Sequence, residues 1–189
     1  MTISRFLSLS VRNIRCFGIA IIYVLLALLG ILGIILFQVR TGVGMAETFR
    51  IGALWETIIW GVGCATCVII LSLIGSKALG FMESLENEFR VILGDLKPYE
   101  ILVIALASGI AEEIFFRGAF QPLLGLVATS LIFGLAHFPV NKRLIPWTIF
   151  AIGMGFLLGA LYIKTGNVVT PIITHVLINL INLFRISRK

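Results

Sequence analysis

An all-α bundle of about six membrane-spanning helices is the fold this sequence predicts, and three observations predict it. Of the 189 residues, 59% are hydrophobic and only 13% are charged, about half the charged share of an ordinary soluble domain. The mean hydropathy is +1.10. The apolar residues fall into long runs, and at about 20 residues per spanning helix the chain has room for six runs and little else. One integral membrane domain over residues 1–189 is therefore expected. The net charge of +6 does not mark a nucleic-acid partner, because Lys and Arg gather at the ends of the runs, where they set topology. The lipid bilayer is the partner that the composition implies.

Arg5, Arg12 and Arg15 precede an apolar run at 17–37. It exceeds the roughly 7–15 residues of a signal-peptide core and ends without a small-residue cleavage site, so it is expected as the first span, with a cytoplasmic N-terminus. A short outer loop leads to a second span at 51–76, with Trp55, Glu56 and Trp60 near its outer end. Glu56 is read as solvated at the interface. Cys64 and Cys67 have redox spacing but only apolar neighbours, and are read as small packing residues. The polar connection at 77–97 carries Phe81, Leu85, Phe89, Ile92 and Leu93 at helical spacing, with Gly94 and Pro98 to stop it. Its charges nearly cancel, and it is read as a surface connector on the cytoplasmic face.

The third span begins near Tyr99, and its Ala107 and Ala111 form a small-residue face for a close helix neighbour. Gly118 and Pro122 loosen it before a fourth span from about Leu123, which ends at Pro139 ahead of Lys142 and Arg143. The fifth occupies 147–164, with Gly155 and Gly159 as a close-packing pair, and Gly166 turns it. The sixth begins near Pro171 and ends at Arg185, Arg188 and Lys189, which makes both termini cytoplasmic.

Within the apolar stretch 101–126 stand Glu112, Glu113 and Arg117. A charged side chain at the bilayer centre costs about 2.5–3.5 kcal/mol on insertion scales, so three of them need a compensating use. Helical spacing pairs Glu113 with Arg117 along one face and turns Glu112 about 100° away, leaving one carboxylate available. The chain's two histidines, His137 and His175, both lie in apolar spans. His175 and Asn179 share a helix face, as do Phe133 and His137. Three helices thus supply Glu112, His137 and the His175/Asn179 pair: a base, a second acid/base group and hydrogen-bond donors. At about 1.5 Å per residue, straight helices would leave His137 nearer the inner surface than Glu112 and His175. Breaks at Gly118, Pro122 or Pro139 are expected to close that gap.

Glu112 to Arg117 reads EExxxR, Phe133 to His137 reads FxxxH, and His175 to Asn179 reads HxxxN. This ordered triple resembles the CPBP family of intramembrane proteases, which includes the type II CAAX prenyl endopeptidases. The motif-bearing core is about 99–186. The resemblance implies a glutamate-dependent endopeptidase in which Glu112 and His137 activate water and His175 and Asn179 form an oxyanion hole. Glu113, Arg117 and Phe133 would support them. It also implies a membrane-associated protein or peptide substrate, with its C-terminal segment as one candidate, and a bacterial cytoplasmic membrane as the location.

Other classes are weighed against this. A proton- or ion-coupled transporter would use the same groups as a relay, but the polar motif has no inverted repeat. A non-catalytic immunity or scaffold protein of the same fold is the third reading. No Gly-x-Ser-x-Gly elbow accompanies Ser108 or Ser130, and no His-Glu-x-x-His occurs. No cofactor is expected, although two histidines and a carboxylate leave zinc open by ligand count. Asn179, an uncommon zinc ligand, and the apolar neighbours Leu135, Ala136, Val176 and Leu177, which offer few acceptors to orient the imidazoles, argue against it.

Overall fold

The structure, a computed structural model, describes residues 3–42, 45–139 and 141–188, with side chains from residue 18 onward. The side chains of Arg5, Arg12 and Arg15, and Lys189, all used above to assign topology, lie outside the described residues. In chain order the elements are α1 (Ile3–Thr41), the short α2 (Met45–Thr48), α3 (Leu54–Ala78), α4 (Gly80–Leu93) and α5 (Pro98–Glu113). A π-helical segment (Ile114–Phe120), α6 (Gln121–Ala136), a 3-10 turn (Lys142–Leu144), α7 (Ile145–Thr165) and α8 (Val169–Arg188) follow. Among the described residues there is no strand. The chain is an all-α integral membrane bundle.

Among the described residues, five stretches are long and apolar enough to cross a membrane: Gly18–Thr41, Leu54–Ala78, Pro98–Ala136, Lys142–Thr165 and Val169–Arg188. The third holds both helices expected on either side of residue 122, separated by the non-helical residue Gly125 rather than by a loop. That stretch is a hairpin. At Gly125 the backbone takes φ 76° and ψ 173°, a conformation open essentially to glycine alone. Beyond it the chain folds back, so that the Arg117 guanidinium lies 4.6 Å from the centre of the Phe133 ring; a straight helix would hold them about 24 Å apart. The return arm, 126–136, rises only about 16 Å, roughly half the hydrocarbon thickness. His137 at its end therefore stops well short of the far surface, which corrects the depth expected from straight helices.

Lipid tails are as apolar as Leu, so close backbone approach and hydrogen bonds must hold the helices together. α1 crosses the π-helical segment at Gly30, where a Cβ would meet the Phe115 backbone at 2.8 Å. α6 meets α7 where Gly155 faces the Ser130 backbone and Gly159 faces Leu126 and Gln121, the pair that the sequence points to. α5 approaches α8 at Gly109, against Val176, while Ala107 lies near Ile19 and Ala20 of α1. α3 packs on α8, with Thr174 Oγ1 3.0 Å from the Gly61 carbonyl oxygen.

α4 is more than the surface connector read from its sequence. Its apolar side needs a partner, and Met82, Leu85 and Phe89 find one in the wall of an internal cavity. Its polar side is tied down by Glu88, which accepts from Arg143 at 2.9 Å and Asn141 at 3.1 Å. Arg90 donates to the Ile186 carbonyl at 3.1 Å, Glu86 pairs with Arg185, and Phe89 meets Trp147 edge-on at 5.0 Å. α4 thus roofs the end of the bundle that carries Arg143 and Arg185.

A methyl group on residue 30 would press on Phe115 N and Cα, backbone atoms that cannot swing aside. Gly30→Ala is expected to destabilise the protein by about 1–3 kcal/mol, read as a lowered thermal midpoint in detergent by circular dichroism. Gly63→Ala, which meets nothing within 4 Å, should not lower that midpoint.

Candidate active site

Glu113 and Arg117 have fully buried side chains and pair at 3.0 Å, Glu113 Oε1 accepting from Arg117 Nη1. One ion pair does not use up a guanidinium. Arg117 Nη2 donates to the Gly155 carbonyl on α7 at 3.0 Å, and its plane lies over the Phe133 ring of α6, a cation–π contact strengthened by exclusion of water. Glu113 Oε1 also faces His175 Nδ1 of α8 at 2.7 Å. The pair therefore ties α5, the π-helical segment, α6, α7 and α8 at one depth. Arg117 stands inside the π-helical segment, whose wider turn is a recurrent feature of functional sites; nothing in the residue pattern had pointed to it.

Glu112 turns away from this pair, as helical spacing requires, and faces His137. Glu112 Oε2 lies 3.6 Å from His137 Nε2, too far for a direct hydrogen bond, and has no hydrogen-bond partner among the described residues. Two polar atoms at this separation can share one water. His137 Nδ1 lies 2.7 Å from the Phe133 carbonyl oxygen. A carbonyl can only accept, so Nδ1 carries the proton, and in the neutral ring Nε2 offers its lone pair toward Glu112. Phe133 also packs on the His137 ring at 4.7 Å between centroids, and Thr148 Oγ1 donates to the His137 carbonyl. Phe133 thus fixes the imidazole through both its carbonyl and its ring, and Thr148 holds the backbone behind it.

The imidazoles do not lack orienting acceptors: the Phe133 backbone carbonyl serves His137 and the Glu113 carboxylate serves His175. The side-chain neighbours considered in the sequence are apolar, but a backbone carbonyl is invisible to that kind of reading.

Asn179 sits one turn from His175 as expected, with a hydrogen bond already in place. Its Nδ2 donates to Ser108 Oγ at 2.9 Å, leaving its second amide proton for another acceptor. Glu112, Phe133, His137, His175 and Asn179 all line one cavity of about 520 Å³, which extends to α4 and Arg185. Its walls are mainly apolar. Tyr23, Ser108 and Trp147, which the residue pattern did not assign to the site, also line this cavity. Tyr23 had left a signal, since it is the lone hydroxyl in the run at 17–37; Ser108 had been considered only as a nucleophile.

Residues 95–181 match the family described as type II CAAX prenyl endopeptidase Rce1-like, a segment that contains every motif residue named above. Among curated proteins, the uncharacterized protein YpbD of Bacillus subtilis (strain 168) is 33% identical over 136 residues, covering 67% of this chain and 69% of that one. No solved structure matches.

The ion pair leads to a stability prediction. Arg117→Met leaves the Glu113 carboxylate buried without its cation and is expected to cost about 3–5 kcal/mol. Adding Glu113→Gln to it should restore part of that loss, because the charge left stranded is then removed. Thermal midpoints of the single and double variants in one detergent check this, and a double variant no more stable than Arg117→Met would contradict it.

Proposed function

This chain belongs to the Rce1-like family of type II CAAX prenyl endopeptidases, and on that premise we propose that it is an intramembrane endopeptidase whose attacking water is activated by Glu112 and His137. The observation that carries the reading is the unpartnered Glu112 Oε2, placed 3.6 Å from His137 Nε2 on the wall of the cavity. A carboxylate in an apolar bundle without a hydrogen-bond donor on that oxygen is costly. A water held there offsets the cost and is itself polarised for attack.

In this mechanism the water donates one hydrogen bond to Glu112 and the other to His137 Nε2. As its oxygen bonds to the scissile carbonyl carbon, Glu112 takes the proton, and a tetrahedral intermediate with an oxyanion forms. Asn179 supplies its free amide proton to the oxyanion, and His175 supplies Nε2–H in the form of the ring that carries protons on both nitrogens, with Glu113 facing Nδ1. When the intermediate collapses, the C–N bond breaks and the leaving nitrogen takes the proton from Glu112. Glu113 and Arg117 do no chemistry in this scheme. They hold His175 and the α6 arm in register.

The substrate is a membrane-associated protein, cut near a C-terminal membrane segment. The mainly apolar cavity suits such a segment, and its roof, α4, lies at the end of the bundle where a juxtamembrane peptide would enter. The location that fits the charge pattern is a bacterial cytoplasmic membrane with both termini in the cytoplasm. The mechanism needs no metal. Glu113, committed to Arg117, is not free to serve as a ligand.

Replacing the protein in its own cells by Glu112→Gln is expected to leave one or more membrane proteins uncut, seen as retained C-terminal segments when membrane and secreted proteomes are compared. Glu113→Gln should lose less activity per folded molecule. Elemental analysis of active, chelator-treated enzyme should find no stoichiometric metal. Zinc that tracks with activity would recast Glu112, His137 and His175 as ligands, and greater loss in Glu113→Gln would exchange the roles of the two carboxylates.

A further inference from the structure

We propose that Tyr23, on α1, is a positioning residue for Glu112: its phenol donates to one carboxylate oxygen and keeps the other aimed at the water. The proposal rests on the reading of Glu112 as the base. Tyr23 lies outside the family-matched segment 95–181, yet α1 is locked against that segment. Gly30 abuts the Phe115 backbone, and Ile34 fills the space beside Gly118. A side chain two turns before Gly30 is thereby carried to α5 with little freedom.

Tyr23, Ser108 and Glu112 line the same cavity, and the Ser108 and Glu112 side chains both act electrostatically on the Tyr23 hydroxyl. Glu112 Oε2 is left without a hydrogen-bond partner, and the proposal gives the phenol to the other oxygen. Ser108 Oγ in turn accepts from Asn179 Nδ2. The chemistry of the four groups gives this row one consistent direction. An amide N–H can only donate and a carboxylate can only accept, while each hydroxyl between them does both. Asn179 donates to Ser108, and in the proposed row Ser108 would donate to Tyr23 and Tyr23 to Glu112, each bond polarising the next. The Ile104 carbonyl, 2.8 Å from Ser108 Oγ, competes for the serine proton. The phenol's own proton has Glu112 as its acceptor in either case.

Such a row links the proposed base to the proposed oxyanion donor through a helix that the motifs do not mention. Without it, the Glu112 side chain would be free to rotate within the cavity, and its two oxygens would be equivalent. A phenol suits the role because its rigid ring reaches across the helix interface at low entropic cost and leaves one polar atom at the tip.

Tyr23→Phe keeps the ring and removes the hydroxyl. With a cleavable membrane-spanning peptide in nanodiscs, kcat is expected to fall about tenfold, the rate equivalent of one hydrogen bond, while KM changes by less than about twofold. Infrared difference spectroscopy adds a readout independent of turnover. The carboxyl stretching band that Glu112→Gln deletes should be displaced in Tyr23→Phe, and displaced less in Ser108→Ala, which spares the Tyr23–Glu112 contact. Should Tyr23→Phe fail to fold, a fluorotyrosine at position 23 should displace the same band. An unmoved band alongside an inactive Glu112→Gln overturns the role of Tyr23 alone. Cleavage by Glu112→Gln at the wild-type rate overturns the base assignment and this proposal with it.

Discussion

The buried pair Glu113–Arg117 is the interaction on which the rest of this structure depends. Neither side chain touches solvent, and a lone charge at that depth would cost several kcal/mol. Part of that cost is offset by groups that converge on the pair: the Gly155 carbonyl of α7, His175 of α8 and the face of Phe133 on α6. The helices from α5 to α8 are therefore held at one mutual depth by a polar core, where a soluble protein would use an apolar one. Packing refines that depth but does not set it, since in lipid a Leu gains little by facing another Leu.

From this constraint the exposed chemistry follows. Once Glu113 is committed to Arg117 and His175, its neighbour in sequence must point about 100° away, into the cavity. The hairpin at Gly125 then matters because it shortens the return path. An arm of full membrane length would carry His137 past Glu112, whereas the short 126–136 arm ends beside it, with Nε2 3.6 Å from Glu112 Oε2. Phe133 contributes at both levels. Its ring covers Arg117 and its carbonyl orients His137, so one residue couples the structural pair to the reactive one.

Much of this was legible in the sequence because a bilayer penalises polar side chains so heavily that their presence and spacing carry information. Glu113 and Arg117 at four-residue spacing announced their bond, and Gly155 and Gly159 announced a close helix contact. What could not be read has physical reasons too. A backbone conformation such as that at Gly125 is permitted by many glycines and required by few, so a turn at Gly125 rather than at Gly118 or Pro122 left no mark. The π-helical segment has no side-chain code. Backbone carbonyls, which orient His137 and receive Arg117, belong to every residue alike. α4 was undervalued because an apolar helix face in a membrane protein points to lipid as readily as to a cavity, and only the assembled bundle decides between them.

The central claim is that Glu112 and His137 act on one water as a unit, and a double-mutant cycle on cleavage tests it most directly. Single-turnover rates would be measured for wild type, Glu112→Gln, His137→Ala and the double variant, each with its folded fraction checked. If the two groups share one water, the double variant is expected to be no slower than the slower single variant, because the first substitution already removes what the second would. Losses that multiply across the cycle would mean independent roles and would contradict the account.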